Sequence, residues 1–123
     1  MKPEANSQGR GIYLIRYADD IPLGERCVAQ RYLHKPYLLE GLKFDLRIYV
    51  LVTGSDPLRI FVYEEGLARF ATTEYKAPWA KNIEEMCMHL TNYAVNKNSE
   101  NFVFNEDEVE DDVGHKRSLT AVY

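Results

Sequence analysis

Residues 43–52, KFDLRIYVLV, place charged side chains at alternate positions of an otherwise apolar run. Because successive side chains of a β-strand point to opposite faces, Lys43, Asp45 and Arg47 share one face and the apolar residues at even positions share the other. The pattern predicts a strand over 43–53 with a core on its apolar side. The charged face is either open to solvent or the floor of a binding cleft. Tyr49 and Leu51 continue this face and favour a cleft with an apolar back wall.

A second candidate is the glycine-containing loop NSQGRGI, residues 6–12. Gly9 and Gly11 flank Arg10, so backbone N–H groups can approach an anion closely, and Lys2 and Arg10 add positive charge. The spacing matches neither GxGxxG nor GxxxxGK[ST], and a plain surface turn is an equally good interpretation when the loop is considered alone.

Arg69, in GLARFATT, shares a strand face with Leu67 and Ala71. A guanidinium among apolar neighbours needs a carboxylate or phosphate partner. An ordinary salt bridge to Glu64 or Glu65 is the alternative to a ligand contact. The tetrapeptide HLTN, residues 89–92, offers further polar groups but could equally be a turn, and His89 alone is a poor candidate for a metal ligand.

The elements that must position these groups follow from hydrophobic periodicity and turn residues. Strands are predicted over 12–15, 26–33, 43–53, 58–65 and 66–73, with Gly66 between the last two, and the GSDP turn follows the third. A helix is predicted over 82–97, a solvated acidic loop over 105–112, and the start of another helix from Gly114. Short connections between three neighbouring strands predict an α+β fold, with an antiparallel meander in a mixed sheet and flanking helices.

Composition excludes several classes of protein. With 123 residues, 46% hydrophobic and 28% charged, the chain is large enough for one globular domain. A net charge of −4, without a basic run interleaved with aromatics, argues against nucleic acid as a partner. The longest apolar run, 48–52, is far shorter than the roughly 20 residues of a membrane span, so membrane insertion is not expected. Cys27 and Cys87 lack metal-ligand spacing and are predicted to be reduced, buried thiols of a cytosolic protein.

These segments together resemble the tubulin tyrosine ligase-like family of ATP-grasp enzymes. The resemblance runs in order through KPEANSQGRGIYLI, QRYLHKPYLLEGLKFDLRIYVLV, DPLRIFVYEEGLARFATT, CMHLTNYAVNKNSENF and GHKRSL. The third and fourth of these segments look like the glutamylase branch, which adds glutamate to glutamate side chains of tubulin tails. The resemblance therefore implies an ATP-grasp fragment, spanning 1–123 and truncated at both ends.

The resemblance also implies a role for individual residues. Arg47 matches a catalytic position facing the γ-phosphate of ATP, and three residues match positions that hold the incoming amino acid: Arg69, Tyr93 and Lys116. The positions that match nucleotide contacts are Lys2, Gln8, Gly9, Gln30, Arg31, Tyr32, Leu33, Lys43, Asp45, Thr91 and Asn92. No metal ligand is expected within this chain, since the carboxylates that bind Mg²⁺ in the family lie beyond Tyr123.

The implied reaction is ATP-dependent amide formation through an acyl phosphate, with ATP and Mg²⁺ as cofactors. The implied partners are tubulin tails, microtubules and free L-glutamate. The implied location is cytoplasmic, on the microtubule cytoskeleton and at cilia or basal bodies. Three alternatives remain open: a non-catalytic module that binds nucleotide or microtubules, a tubulin glycylase, and an ATP-grasp ligase for small carboxylates. The fragment is expected to be inactive by itself.

Overall fold

The computed structural model describes residues 1–5, 9–105 and 113–122. Gln8 and nearly all of the predicted acidic loop therefore lie outside the described residues. The strands are β1 (Lys2–Pro3), β2 (Cys27–Val28), β3 (Leu38–Leu39), β4 (Leu42–Ser55), β5 (Leu58–Phe70) and β6 (Lys116–Ser118). The helices are α1 (Met86–His89) and α2 (Tyr93–Asn96), and 3₁₀ turns cover Ala18–Asp20 and Thr120–Val122.

A long hairpin, β4 followed by β5, forms the centre of the fold. It belongs to a four-stranded antiparallel sheet of order β3–β4–β5–β6, while β1 and β2 form a separate antiparallel pair. The expected α+β character, with a mostly antiparallel sheet and short flanking helices, is confirmed.

The register of the hairpin confirms the predicted alternation of its first half. Asp45 lies opposite Arg69, and Arg69 lies opposite Lys116 on β6, so these side chains share one face. Phe44 lies opposite Phe70 on the other face, and their rings stack with centroids 5.5 Å apart. The sheet therefore has a charged face and an aromatic face at this end.

The prediction of a core on the apolar face of β4 is wrong for the distal half of the hairpin, the half that ends in the turn between Ser55 and Leu58. Ile48, Val50 and Val52 are about half exposed, and so are Tyr49 and Leu51 on the opposite face. Among the described elements, β5 makes most of the contacts with β4, and β3 and α1 contribute only a few. The core lies instead at the proximal end, where Ala68, Phe70 and Ala71 are fully buried.

Several predicted boundaries are also wrong. Residues 12–15 form no strand, and the predicted strand 26–33 is reduced to β2. The two strands predicted on either side of Gly66 are the single strand β5. Gly66 lies opposite Ile48, and a Cβ built on it would lie 2.5 Å from the Arg47 carbonyl oxygen. Glycine thus permits close strand approach at this point instead of interrupting the strand.

The helix predicted over 82–97 is two one-turn helices separated by an extended segment. Leu90 and Asn92 have extended backbone angles, which end α1 and precede α2. Side-chain hydrogen bonds replace the missing helical ones: the buried Asn96 amide donates to the carbonyl oxygens of Leu90 (2.8 Å) and Asn92 (3.0 Å). Both halves keep the apolar spacing of a helix, so periodicity did not reveal the break.

The C-terminal segment, predicted to open a helix, forms β6 instead. Arg117 on β6 is buried, donates to both carboxylate oxygens of Glu40 at 2.8 Å, and lies 4.4 Å from the centroid of Phe70. Its neighbour Lys116 points to the opposite, charged face. The buried guanidinium therefore anchors the strand that carries Lys116.

The two cysteines are free, as predicted, but each is half-buried where burial was predicted. Among the described residues, no helix has the length and apolar character that a membrane span requires.

Candidate functional site

Two adjoining clefts border the charged face of the sheet. The first, of about 920 Å³, is lined by β1, residues 29–37, the start of β4 and residues 89–92. The second, of about 640 Å³, is lined by β5, β6, α2 and residues 102–105. Both volumes lie in the range of small-molecule sites. Arg69 and Thr91 line both clefts and so form part of the wall between them.

Most of the predicted nucleotide residues come together in the first cleft. They are Lys2, Gln30, Arg31, Tyr32, Leu33, Lys43, Asp45, Thr91 and Asn92, and Arg47 lines the same cleft. The structure does not place Tyr49 or Leu51 among the lining residues, so the predicted apolar back wall is wrong. A register shift between Ile48 and Val50 interrupts the regular pairing of β4 just beyond Arg47.

Asp45 organises the arginines of the charged face. Arg69 donates to it through two nitrogens, Nε to Oδ1 at 3.0 Å and Nη2 to Oδ2 at 2.5 Å. Arg47 Nε lies 3.4 Å from the same Oδ2 atom. The predicted alternative partners of Arg69, Glu64 and Glu65, are therefore wrong, because the Asp45 carboxylate lies directly across the strand pair. Within the part of the chain that the structure describes, Asp45 takes two of the five guanidinium N–H groups of Arg69, which leaves donors for a ligand.

Lys43 is a partly buried cation of the first cleft. Its Nζ atom donates to the His89 carbonyl oxygen at 2.8 Å and to the Tyr32 hydroxyl at 3.0 Å. Burial lowers the pKa of Lys43, and Asp45 opposes that shift. The ammonium has three N–H groups, so with respect to the described residues a third is available to an anion in the cleft.

The glycine loop meets the first cleft beside Asn92. Gly9 has a φ of +81°, and a Cβ built on it would lie within 2.6 to 2.9 Å of the Asn92 side chain. Lys2 donates to Gln30 at 2.6 Å across the β1–β2 pair. Lys2 and Gly9 therefore each lie next to a residue that lines the first cleft, although Gly9 itself does not line it.

The second cleft combines cations with an aromatic wall. Arg69, Tyr93 and Lys116, the residues predicted to hold an amino acid, all line it. The rings of Phe102 and Phe104 lie 4.7 Å apart and each packs edge-on against Tyr93. A cationic side and an aromatic side suit a small ligand that carries carboxylates on an aliphatic stem.

His115 extends this aromatic wall as a neutral group. Its ring stacks on Phe102 with centroids 5.6 Å apart, and its Nδ1 atom accepts the Val103 N–H at 3.0 Å. Burial, the main influence, lowers the pKa of His115. The N–H that Val103 donates requires an unprotonated Nδ1, as in the neutral ring.

Within residues 1–5, 9–105 and 113–122, no three His, Cys, Asp or Glu side chains are grouped so that they could hold a metal ion. The described residues therefore offer anion-binding cations and backbone groups that suit a nucleotide, but no carboxylate set that suits Mg²⁺.

Sequence reasoning missed several residues that build the site. His89, fully buried, and Asn96, 1% exposed, hold the backbone of residues 89–92 in place. Arg117 and Glu40 anchor β6. A polar residue within an apolar helical pattern was the available signal for His89 and Asn96, but the pattern does not show which buried groups they satisfy.

An antiparallel sheet whose charged face borders two adjoining clefts lined by lysine and arginine is an arrangement that can bind anionic ligands. The profile of the Tubulin-tyrosine ligase family matches residues 1–123. The chain therefore belongs to the Tubulin-tyrosine ligase family, as its resemblance indicated.

Relatives with known names cover nearly the whole chain. It is 62% identical over 122 residues to a probable beta-tubulin polyglutamylase of Tetrahymena thermophila, covering 99% of this chain and 10% of that protein. It is 55% identical to the tubulin polyglutamylase ttll6 of Danio rerio, covering 98% of this chain and 15% of that protein. It is 53% identical to the human tubulin polyglutamylase TTLL13, covering 98% and 14% respectively. The chain spans about 10 to 15% of the length of these relatives.

Proposed function

We propose that the protein carrying this chain is an ATP-dependent tubulin polyglutamylase. The observation that carries the proposal is the charged face, where Arg47 and Arg69 pair with the carboxylate of Asp45, and Lys43 and Lys116 each line one of the two adjoining clefts. The names of relatives 50 to 62% identical to the chain support glutamate as the amino acid.

The first cleft is assigned to ATP in this proposal. Lys2, Lys43 and Arg47 would bind phosphate oxygens, since ammonium and guanidinium groups are the usual protein donors to phosphate. Thr91 and Asn92 would contact the nucleotide at the rim where Gly9 approaches. Residues 30–33, which include Tyr32, would line the adenine base of ATP. Gln8, which lies outside the described residues, stays a predicted phosphate contact.

The second cleft is assigned to free L-glutamate. Arg69 and Lys116 would pair with its carboxylates, and Tyr93 and the Phe102–Phe104 wall would contact the aliphatic stem. Because Arg69 lines both clefts, it would bring the amino acid next to the phosphate end of the nucleotide.

The proposed reaction has two steps. A γ-carboxylate oxygen of the acceptor glutamate attacks the γ-phosphorus of ATP, ADP leaves, and an acyl phosphate forms on the acceptor. The amine of free glutamate then attacks the acyl carbon, phosphate leaves, and the nitrogen gives a proton to solvent as the amide forms. Arg47 would stabilise the negative charge that develops on the transferred phosphoryl group.

We also propose that Mg²⁺ is required and that its ligands lie beyond Tyr123, and that the chain is one part of a larger ATP-grasp domain. Tubulin tails as acceptor would place the protein on cytoplasmic microtubules. A ciliary or basal-body location is a further proposal, which imaging of the tagged full-length protein tests.

The central test is labelled glutamate incorporation by the full-length protein on microtubules, with and without ATP. Arg47→Ala is expected to lower the rate by about 30- to 1,000-fold, because one electrostatic donor to the transition state contributes about 2 to 4 kcal/mol. Folding should persist, since the Arg47 side chain is half exposed.

Arg59→Ala is the matched control, because Arg59 is exposed on the distal half of the same hairpin and lines neither cleft. Normal turnover by Arg47→Ala would contradict the assignment. Incorporation of labelled glycine in place of glutamate would identify a glycylase, and nucleotide binding without any incorporation would identify a non-catalytic module.

A further inference from the structure

Lys43 is held by a chain of hydrogen bonds that begins at a buried histidine. His89 is fully buried, and its ring lies edge-on to Tyr32 with centroids 5.7 Å apart. Its Nδ1 atom is 3.3 Å from the Tyr32 hydroxyl, which in turn lies 3.0 Å from Lys43 Nζ. The His89 carbonyl oxygen accepts from the same Nζ atom at 2.8 Å. Backbone and ring of one residue therefore both act on Lys43.

A backbone carbonyl fixes the tautomer of His89, while the Tyr32 hydroxyl lies within reach of both the Nδ1 atom (3.3 Å) and the carbonyl oxygen (3.5 Å) of His89. His89 Nε2 lies 2.9 Å from the Asn82 carbonyl oxygen, which can only accept, so Nε2 carries the ring proton. In the neutral ring Nδ1 is then an acceptor for the Tyr32 hydroxyl. The lone pairs of the Tyr32 oxygen are left for Lys43. Burial, the main influence, lowers the pKa of His89 and so supports the neutral ring.

This arrangement restricts the conformation of the Lys43 side chain. Two of its N–H groups are engaged by Tyr32 and by the His89 carbonyl, and the ammonium also lies 4.4 Å from the centroid of the Tyr32 ring. A flexible lysine side chain would otherwise adopt several rotamers. These contacts restrict the rotamers of the Lys43 side chain and, among the described residues, leave one N–H group for a ligand in the cleft that Lys43 lines.

We propose that Tyr32 and His89 are positioning residues that orient Lys43 toward the phosphates of a bound nucleotide. This inference rests on the proposed function, and it adds a role for the Tyr32 side chain and for His89. The Tyr32 hydroxyl acts through Lys43 and needs no contact with the nucleotide itself.

The test uses ATP binding to the full-length protein, measured by calorimetry. Tyr32→Phe keeps the ring and removes only the hydroxyl, and it is expected to weaken ATP binding about 10-fold, as for one hydrogen bond to a charged group. The rate at saturating ATP should change less than the KM for ATP. Tyr49→Phe is the matched control, because Tyr49 is exposed on β4 and lines neither cleft, and its ATP affinity should equal that of the wild type.

A double-mutant cycle separates positioning of Lys43 from general damage to the cleft. In a Lys43→Met background, Tyr32→Phe should have no further effect on ATP affinity, because its target has been removed. The inference is overturned if Tyr32→Phe behaves like Tyr49→Phe, or if it weakens binding equally in both backgrounds.

Failure of the proposed function gives a different result. If Lys43→Met binds ATP as well as the wild type does, or if the wild type binds no ATP, the nucleotide assignment of the first cleft is wrong and this inference is wrong with it. If Lys43→Met weakens binding and Tyr32→Phe does not, only the positioning role is wrong.

Discussion

Replacing Asn96 with alanine should loosen the segment that carries Thr91 and Asn92. The Asn96 Oδ1 atom accepts from the Thr72 backbone N–H (3.0 Å) and hydroxyl (2.9 Å), and Nδ2 donates to the carbonyl oxygens of Leu90 and Asn92. The side chain thus ties the residues after β5 to both sides of Thr91.

The magnitude follows from which groups keep a partner. Without Asn96, the Thr72 N–H still reaches the Cys87 carbonyl at 3.1 Å, and the Asn92 carbonyl still accepts backbone N–H groups of α2. The Leu90 carbonyl and the Thr72 hydroxyl lose the Asn96 bond. Leaving either of these buried groups without a hydrogen-bond partner costs about 1 to 3 kcal/mol. Water that enters the space left by the side chain can bond to both groups, so the total cost should lie in the lower part of the summed range. We expect about 2 to 4 kcal/mol in total, on the same basis.

Amide hydrogen exchange measures this local stability directly. Exchange at Thr72 and in α2 should accelerate by about 30- to 1,000-fold in Asn96→Ala, since each 1.4 kcal/mol is a factor of about ten. Thr72→Val, which removes one hydroxyl and keeps the backbone hydrogen bond, should cost about 1 kcal/mol. Equal protection in the two variants would refute the reasoning, because the Leu90 carbonyl would then not depend on Asn96.

Gly66→Ala should lower the free energy of unfolding, measured by urea titration, by about 1 to 3 kcal/mol, because its Cβ would lie 2.5 Å from the Arg47 carbonyl oxygen. Gly54→Ala is the control and should cost less, because its Cβ would lie 3.1 Å from the Pro57 carbonyl oxygen. The hydrogen bond from Arg117 lowers the pKa of Glu40 below 4.5, so the pair stabilises the fold above pH 4.5 and this contribution is lost at lower pH. In Glu40→Gln, the free energy of unfolding should therefore fall less steeply as the pH is lowered below 4.5. The difference from the wild type should be less than about 1 kcal/mol, because the carboxylate is mostly exposed. In steady-state kinetics, Lys116→Met should raise the KM for glutamate much more than that for ATP, whereas an equal rise in both would contradict separate clefts.

The charged face could be predicted from the sequence because strand alternation is local. Lys43, Asp45 and Arg47 lie on one side of β4, and the register carries Arg69 to the same side. The partner of Arg69 was missed because Asp45 is distant in sequence and becomes adjacent only through the pairing of β4 with β5. Pairing register depends on contacts between strands, which no single segment specifies.

The broken helix shows a second limit of sequence reasoning. Periodicity within 82–97 is the same for one helix as for two one-turn helices with an extended link. The choice is made by Asn96, whose side chain satisfies backbone groups that a continuous helix would satisfy itself. Asn82, Thr91 and Asn92 are weak helix formers and gave the only local hint.

The position of Arg69 has a thermodynamic consequence. The Arg69 guanidinium, held by Asp45, lies in the wall shared by both clefts. An anion in one cleft that moves this guanidinium therefore also changes the position of the guanidinium relative to the other cleft. Under the proposed assignment, the affinities for nucleotide and amino acid are linked, and by reciprocity each ligand changes the affinity for the other by the same factor. Substituting Asp45 should alter that linkage factor more than it alters either affinity measured alone.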